Sequence, residues 1–206
     1  MRLTRRTLLL SSIAVLVLLV LGGGLWFGGV LSNKAAAFNG TELDPLKPAP
    51  AFTLTSSGDK QVSLNDFHGK VVLLYFGYTF CPDICPTTLA QLARVRKSLG
   101  ANADQVQVVM ITVDPERDSP QVLNTYVQRF DPSFVGLSGS LDQISPIAAA
   151  YGISFHKEPV SGASGYLVDH TPAVTVIDKQ GNRRLIESYG TTDKAYESDL
   201  RTLIKE

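Results

Sequence analysis

The chain has 206 residues, 19 basic against 19 acidic side chains, 44% hydrophobic residues and two cysteines. That length holds one ordinary domain plus an appendage, and the composition excludes collagen-like and disordered classes. Two cysteines cannot staple a small secreted fold, and a net charge of zero argues against a nucleic-acid partner, which demands a basic surface.

The N-terminus reads Met1-Arg2-Leu3-Thr4-Arg5-Arg6, and the 27 residues from Thr7 to Asn33 carry no charge. About 20 apolar residues in a helix cross a bilayer, so this run is long enough to span. Arg2, Arg5 and Arg6 on one flank against a lone Lys34 on the other place the N-terminus in the cytoplasm. A cleaved signal peptide is the competing reading, with Leu8–Leu21 as its apolar core and Ala35-Ala36-Ala37 as a small-residue cleavage site. Thr4-Arg5-Arg6-Thr7-Leu8-Leu9 also faintly resembles a twin-arginine signal. An uncleaved anchor is favoured, because the run continues through Leu25-Trp26-Phe27 to Leu31. Without residues 1–31 the chain keeps 16 basic and 19 acidic groups, a net of −3 over 175 residues. Its exported part is therefore mildly acidic, and nucleic acid is excluded by compartment as well as by charge. The expected organisation is a cytoplasmic N-terminus over 1–6, a transmembrane anchor over 7–31, a proline-dotted linker over 32–49 and a globular domain over 50–206. The chain is then a single-pass protein of a bacterial cytoplasmic membrane, with its domain on the extracytoplasmic side.

Phe52-Thr53-Leu54 and Gln61-Val62-Ser63 around a Ser57-Gly58 turn predict a hairpin. Val71–Phe76 is a continuous apolar run, the pattern of a strand buried on both faces. Pro86–Leu99 reads as an amphipathic helix closed by Gly100, and Val106–Val113 as a second buried strand. A helix follows from about Pro120 to Arg129. Another covers Leu141–Tyr151, with Pro146 arguing for a break or a late start. Ile153–His170, with its Gly/Ser-rich centre, predicts a long hairpin or loop. Ala173–Asp178 and Leu185–Tyr189 form a further hairpin, and a helix from about Asp193 to Ile204 ends the chain. Strands alternating with helices give an α/β domain with a mixed central sheet flanked by helices, the layout of a thioredoxin-like fold.

Both thiols fall in Thr79-Phe80-Cys81-Pro82-Asp83-Ile84-Cys85-Pro86, between a buried strand and a helix. The prolines predict a loop over Cys81–Cys85, with the helix beginning at Pro86 and Cys85 near its cap. The positive end of the helix would then favour thiolate at Cys85. A thiolate is both a disulfide-exchange nucleophile and a soft ligand for cuprous copper or zinc, and both roles remain open. A metal would need a third ligand. His68 and His156 read as solvated turn and loop residues. His170, in Asp169-His170-Thr171-Pro172, precedes the strand whose entry loop faces the cysteine loop in a thioredoxin-like sheet. It is therefore the expected third ligand, with Thr171-Pro172 expected in cis.

Cys81-Pro82-Asp83-Ile84-Cys85-Pro86, Thr112-Val113-Asp114-Pro115-Glu116-Arg117-Asp118 and Val168-Asp169-His170 together resemble the Sco/SenC family of copper-binding assembly proteins. The resemblance runs from about Pro50 to the C-terminus. It implies a membrane-tethered thioredoxin-like domain that takes copper on Cys81, Cys85 and His170. It further implies a role in maturing the binuclear copper centre of cytochrome c oxidase subunit II, by metal transfer, by reduction of the target's cysteines, or both. The implied partners are that subunit and other exported copper chaperones. Asp114 is expected either to shape the site or to form a turn before Pro115. The family often carries an aliphatic residue where Pro172 stands. The alternative is a thiol-disulfide oxidoreductase using Cys81 and Cys85, though three residues separate the pair where thioredoxins have two. A peroxidase fits less well, because Tyr78 stands where that pattern wants Thr or Ser. A sensor that binds without transferring is a third reading.

Overall fold

The computed structural model of the protein describes residues 38–159 and 165–206. The expected anchor over 7–31 and the expected N-terminus over 1–6 lie outside the described residues. Among the described residues no helix is long and apolar enough to cross a membrane.

The uniformly apolar Val71–Gly77 and Val106–Thr112 become β4 and β5, both buried along their whole length. They pair in parallel, Val71 opposite Val106 through Gly77 opposite Thr112. Such a pair has both faces covered, which is why neither strand alternates polar with apolar residues. Around it the six-stranded sheet runs β1 (Thr41–Pro48), β10 (Asn182–Ser188), β9 (Ala173–Ile177), β4, β5, β6 (Val135–Leu137). β9 joins β4 antiparallel, and β6 extends β5 in parallel. The sheet is mixed, as the sequence predicts.

The helices are α1 (Ile84–Ser98), α2 (Pro120–Gln128), α3 (Leu141–Ala150) and α4 (Asp193–Lys205). Ser119, Ser140 and Thr192 cap α2, α3 and α4, each side-chain oxygen accepting a backbone N–H from the first turn. Pro146 sits inside α3 without breaking it. Two small hairpins complete the domain: β2 (Thr53–Thr55) with β3 (Gln61–Ser63), and β7 (Phe155–Pro159) with β8 (Tyr166–His170).

Two expectations are corrected. Residues 41–48 are not linker but the antiparallel edge strand β1, paired with β10 through Thr41–Ile186 and Pro48–Asn182. Pro45 and Pro48 are tolerated there because an edge strand has one side with no ladder to supply, and the register shifts between Glu42 and Lys47. The cis peptide among the described residues is Asp44-Pro45, so Thr171-Pro172 is trans. The Thr171 N–H bonds to the Ser154 carbonyl, and the Ser154 N–H to Thr171 Oγ1. These bonds seat the β8–β9 connection with a trans proline.

Candidate metal centre

β4 ends at Gly77, and the chain turns through Tyr78–Asp83 into α1. The helix begins at Ile84 rather than at the expected Pro86. Pro86 is then the third helical residue, where the missing N–H is one of the donors that have no intrahelical partner anyway. Cys85 accordingly lies inside the first turn and is fully buried, while Cys81 in the preceding loop is partly exposed. The N-cap residue Asp83 makes no side-chain capping bond. Cys81 Sγ takes its place, accepting the Cys85 N–H at 3.3 Å.

This placement works against the thiolate expected at Cys85. The hydrogen bond with the Cys85 side chain brings the Cys81 thiol down to about 5 against the opposing effect of burial, helped by the Cys85 and Asp83 amides and the His170 ring. Cys85 is pushed far up, first by its bond to Cys81 and then by burial. The coupling between the sulfurs thus favours thiolate at the part-exposed Cys81 and thiol at the buried Cys85.

The third element arrives from the β7–β8 hairpin. His170 ends β8, and its Nε2 lies 3.3 Å from Cys85 Sγ. Its Nδ1 is 3.3 Å from the Thr171 carbonyl. A proton on Nδ1 is donated to that oxygen, leaving the Nε2 lone pair facing the sulfur, the tautomer a metal ligand requires. Cys81 Sγ, Cys85 Sγ and the His170 nitrogen all lie within 4.8 Å of one another. Tyr75 and Tyr78 each hold the imidazole with a T-shaped ring contact at 6.0 Å between centroids. Tyr78 also fixes β8, its hydroxyl oxygen accepting the Val168 N–H at 3.1 Å.

The donor set consists of two sulfurs and an imidazole, and the cleft beside it is lined by Tyr78, Pro82, Ile84, Leu167 and Val168 together with the acidic Asp83, Glu158 and Asp169. The three donors that converge are soft or borderline and fit cuprous copper better than a hard cation such as magnesium or calcium, which takes oxygen ligands. His68 is exposed in the turn before β4 and lies apart from this cluster. His156 is equally exposed, though on strand β7 rather than a loop, with Glu158 at 2.8 Å.

Residues of the Thr112–Asp118 motif help to build the site, in roles that the sequence pattern leaves open or does not assign. Asp118, fully buried, accepts the Thr79 backbone N–H at 2.9 Å and the Thr79 and Thr112 hydroxyls, clamping the cysteine loop to the end of β5. Its position, closing the Asp-Pro-Glu-Arg-Asp loop just before the cap Ser119, was the available signal. Asp114 is also buried. It pairs with Arg117 and accepts the Tyr166 hydroxyl at 2.7 Å, so it shapes the wall of the site through the β8 strand. Arg117 in turn stacks its guanidinium on Tyr166 and Phe80, at 3.8 and 4.7 Å from the ring centroids. Gly77 is required by close approach: a Cβ there would stand 2.8 Å from the Tyr75 ring and 3.0 Å from Cys85 Sγ.

A thioredoxin-like sheet with a Cys-x-x-x-Cys segment running into the first turn of α1, and a histidine facing it from the β7–β8 hairpin, is the arrangement of a candidate thiolate-imidazole metal site. The chain belongs to the SCO1/SenC family, whose profile matches residues 41–205. It is 36% identical over 137 residues to a putative copper-binding protein of Stutzerimonas stutzeri, covering 66% of each chain. It is 42% identical over 118 residues to the mitochondrial SCO2 homolog of Mus musculus, which covers 56% of this chain and 46% of the relative, so less than half of that longer protein is matched. Among solved structures it resembles copper-bound ScoI of Bradyrhizobium japonicum, with a TM-score of 0.68, 34% identity, and coverage of 76% of this chain and 99% of that one.

Proposed function

We propose that this chain is a membrane-tethered copper metallochaperone that holds one copper ion on Cys81, Cys85 and His170 and passes it to the binuclear copper centre of cytochrome c oxidase subunit II. The observation that carries the reading is the convergence of three soft or borderline donors, drawn from the loop before α1, the first turn of α1 and the end of β8, at the mouth of an open cleft. The copper-bound relative supports the choice of metal. Cys81 is the part-exposed sulfur and Cys85 the buried one, so thiolate exchange begins at Cys81, an incoming thiolate displacing it while Cys85 and His170 retain the ion. Other exported copper chaperones are the proposed source of the metal. The anchor over 7–31 would hold the domain at the outer face of a bacterial cytoplasmic membrane.

Anaerobic titration of the reduced protein with copper(I), with copper(II) added in a parallel series and read by absorption, tests this. One copper per chain and a sulfur-to-copper(II) charge-transfer band are expected. His170→Ala should lose tight copper(II) binding while remaining folded, and unchanged affinity in that variant would remove the histidine from the site.

A second reading is favoured by the split acidity of the two thiols. A low thiol at Cys81 with a buried partner suits disulfide reduction. The Cys81 thiolate attacks a target disulfide and releases one target thiolate. Cys85 then gives up its proton and attacks Cys81, releasing the second target thiol and leaving a Cys81–Cys85 disulfide. Cys85→Ser would trap the mixed disulfide, whereas an inert variant would speak for metal transfer alone.

A further inference from the structure

Tyr75 is an unusual neighbour for a metal-site sulfur. It lies in the middle of β4, fully buried, in a strand whose other side chains are apolar apart from the terminal glycine. A buried phenol needs a partner for its hydroxyl, since an unmade hydrogen bond in the interior costs about 1–3 kcal/mol. The Thr88 hydroxyl lies beside that of Tyr75, but the acceptor the phenol meets is a sulfur. The Tyr75 hydroxyl donates to Cys85 Sγ at 3.4 Å. Gly77 keeps open the space in which ring and sulfur meet, because any Cβ there would touch both. The edge of the same ring abuts His170. One side chain therefore contacts two of the three donor groups and is fixed by the core of the sheet.

We propose that Tyr75 is a positioning and tuning residue for the metal site, its hydroxyl hydrogen-bonding the Cys85 sulfur so as to favour copper(I) over copper(II). This rests on the Cys–Cys–His reading of the site. A donor on a thiolate draws electron density from the sulfur, and hydrogen bonding around a ligating cysteine is one of the levers that set a copper potential. The electron-poorer sulfur stabilises the higher-charged copper(II) less. A chaperone whose cargo must stay reduced in an oxidising compartment gains from such a bias. Cys81, part-exposed and without a buried side-chain hydroxyl donor among the described residues, is left free to exchange.

The test is Tyr75→Phe, which removes one oxygen and preserves the ring and its packing, with Tyr151→Phe as a control. Tyr151 is another buried tyrosine, and its hydroxyl donates to the Pro50 carbonyl at 2.7 Å, away from the site. Both variants are loaded with copper(II) and, separately, with cobalt(II), which reports on thiolate ligands whatever metal the protein carries in the cell. In Tyr75→Phe the sulfur-to-metal charge-transfer bands should move to longer wavelength, and the ratio of copper(I) to copper(II) affinity should fall roughly tenfold, the lower end of what removing a partner of a ligand does. Tyr151→Phe should lose some thermal stability and leave both readouts unmoved. Bands and affinity ratio in Tyr75→Phe identical to wild type would overturn the proposal and leave the copper reading standing. A shifted cobalt band in a protein that takes up no copper would uphold the hydrogen bond and sink the copper reading. Uptake of neither metal would overturn both.

Discussion

Two buried carboxyl groups, one on the loop after β5 and one on β10, have been given opposite surroundings. Asp118, beside the cysteine loop, has three donors converging on it, from the Thr79 amide and the Thr79 and Thr112 hydroxyls. Glu187, on β10, is just as inaccessible, but no donor is placed in hydrogen-bond geometry on either of its oxygens, and only the Thr191 side chain and the Asp199 carboxyl lie near enough to act on it. Its neighbour Asp199 has taken the available donors instead, accepting the Asn39 and Gly40 amides and the Asn39 side chain. Burial pushes both Asp118 and Glu187 up, but for Asp118 the Thr79 and Thr112 bonds pull back. For Glu187 burial is reinforced by the charge on Asp199, and its carboxyl rises to about 7. Buried acids therefore do different work depending on who supplies the donors: one clamps the functional loop, the other stores a liability under the first strand.

The largest effect is expected from breaking the clamp. Asp118→Ala strands a backbone N–H and two hydroxyls in the interior, which should cost about 3 kcal/mol or more in urea denaturation and loosen the loop that carries Cys81. A variant as stable as wild type would mean that the Thr79 anchor is replaceable by water. Next comes Glu187→Gln. The wild-type Glu187 is protonated in the fold up to about pH 7, whereas in the unfolded chain it ionises near its ordinary 4.5. The folded state therefore holds the extra proton between those values, and its contribution is complete below about 4.5 and lost as pH rises to about 7. Glu187→Gln should match wild type near pH 4.5 and exceed its Tm at pH 8; the same Tm difference at both values would refute the titration. The smallest effect belongs to Asn39→Ala, which deletes one donor to Asp199 while both amides remain, for a loss of about 1 kcal/mol in the same denaturation assay. A much larger loss would show that the Asn39 side chain, not the backbone, docks the start of the domain.

What the sequence disclosed follows from the range of the interactions involved. Cys81 and Cys85 are four residues apart, so local spacing alone brings them together. His170 is 85 residues away from Cys85, and it was legible only because the order of strands places the turn after β8 against the loop after β4. The parallel pair β4–β5 is written plainly as two apolar runs. β1 was not, since Thr41–Pro48 is mostly exposed and carries two prolines, so nothing in its own pattern betrays the pairing with β10. β6 is only three residues long and exists because β5 offers it an edge. The helix starts two residues earlier than the prolines suggest because a proline in the first turn forfeits no bond, which moves Cys85 inward and removes the thiolate preference expected of it. Asp118 and Tyr75 act through contacts made by the tertiary fold, and neither residue type at its position distinguishes a clamp or a sulfur partner from ordinary packing.

Where Asp83 makes no cap, the first turn of α1 rests on the sulfur of Cys81. A thiolate accepts the Cys85 amide well, whereas a sulfur that shares its electrons with a metal or a second sulfur accepts it poorly. The start of the helix thus carries a record of the chemical state of the site. Hydrogen exchange at the single amide of Cys85 would read that state without any spectroscopic label, slow when Cys81 is a free thiolate and faster once its lone pairs are engaged elsewhere.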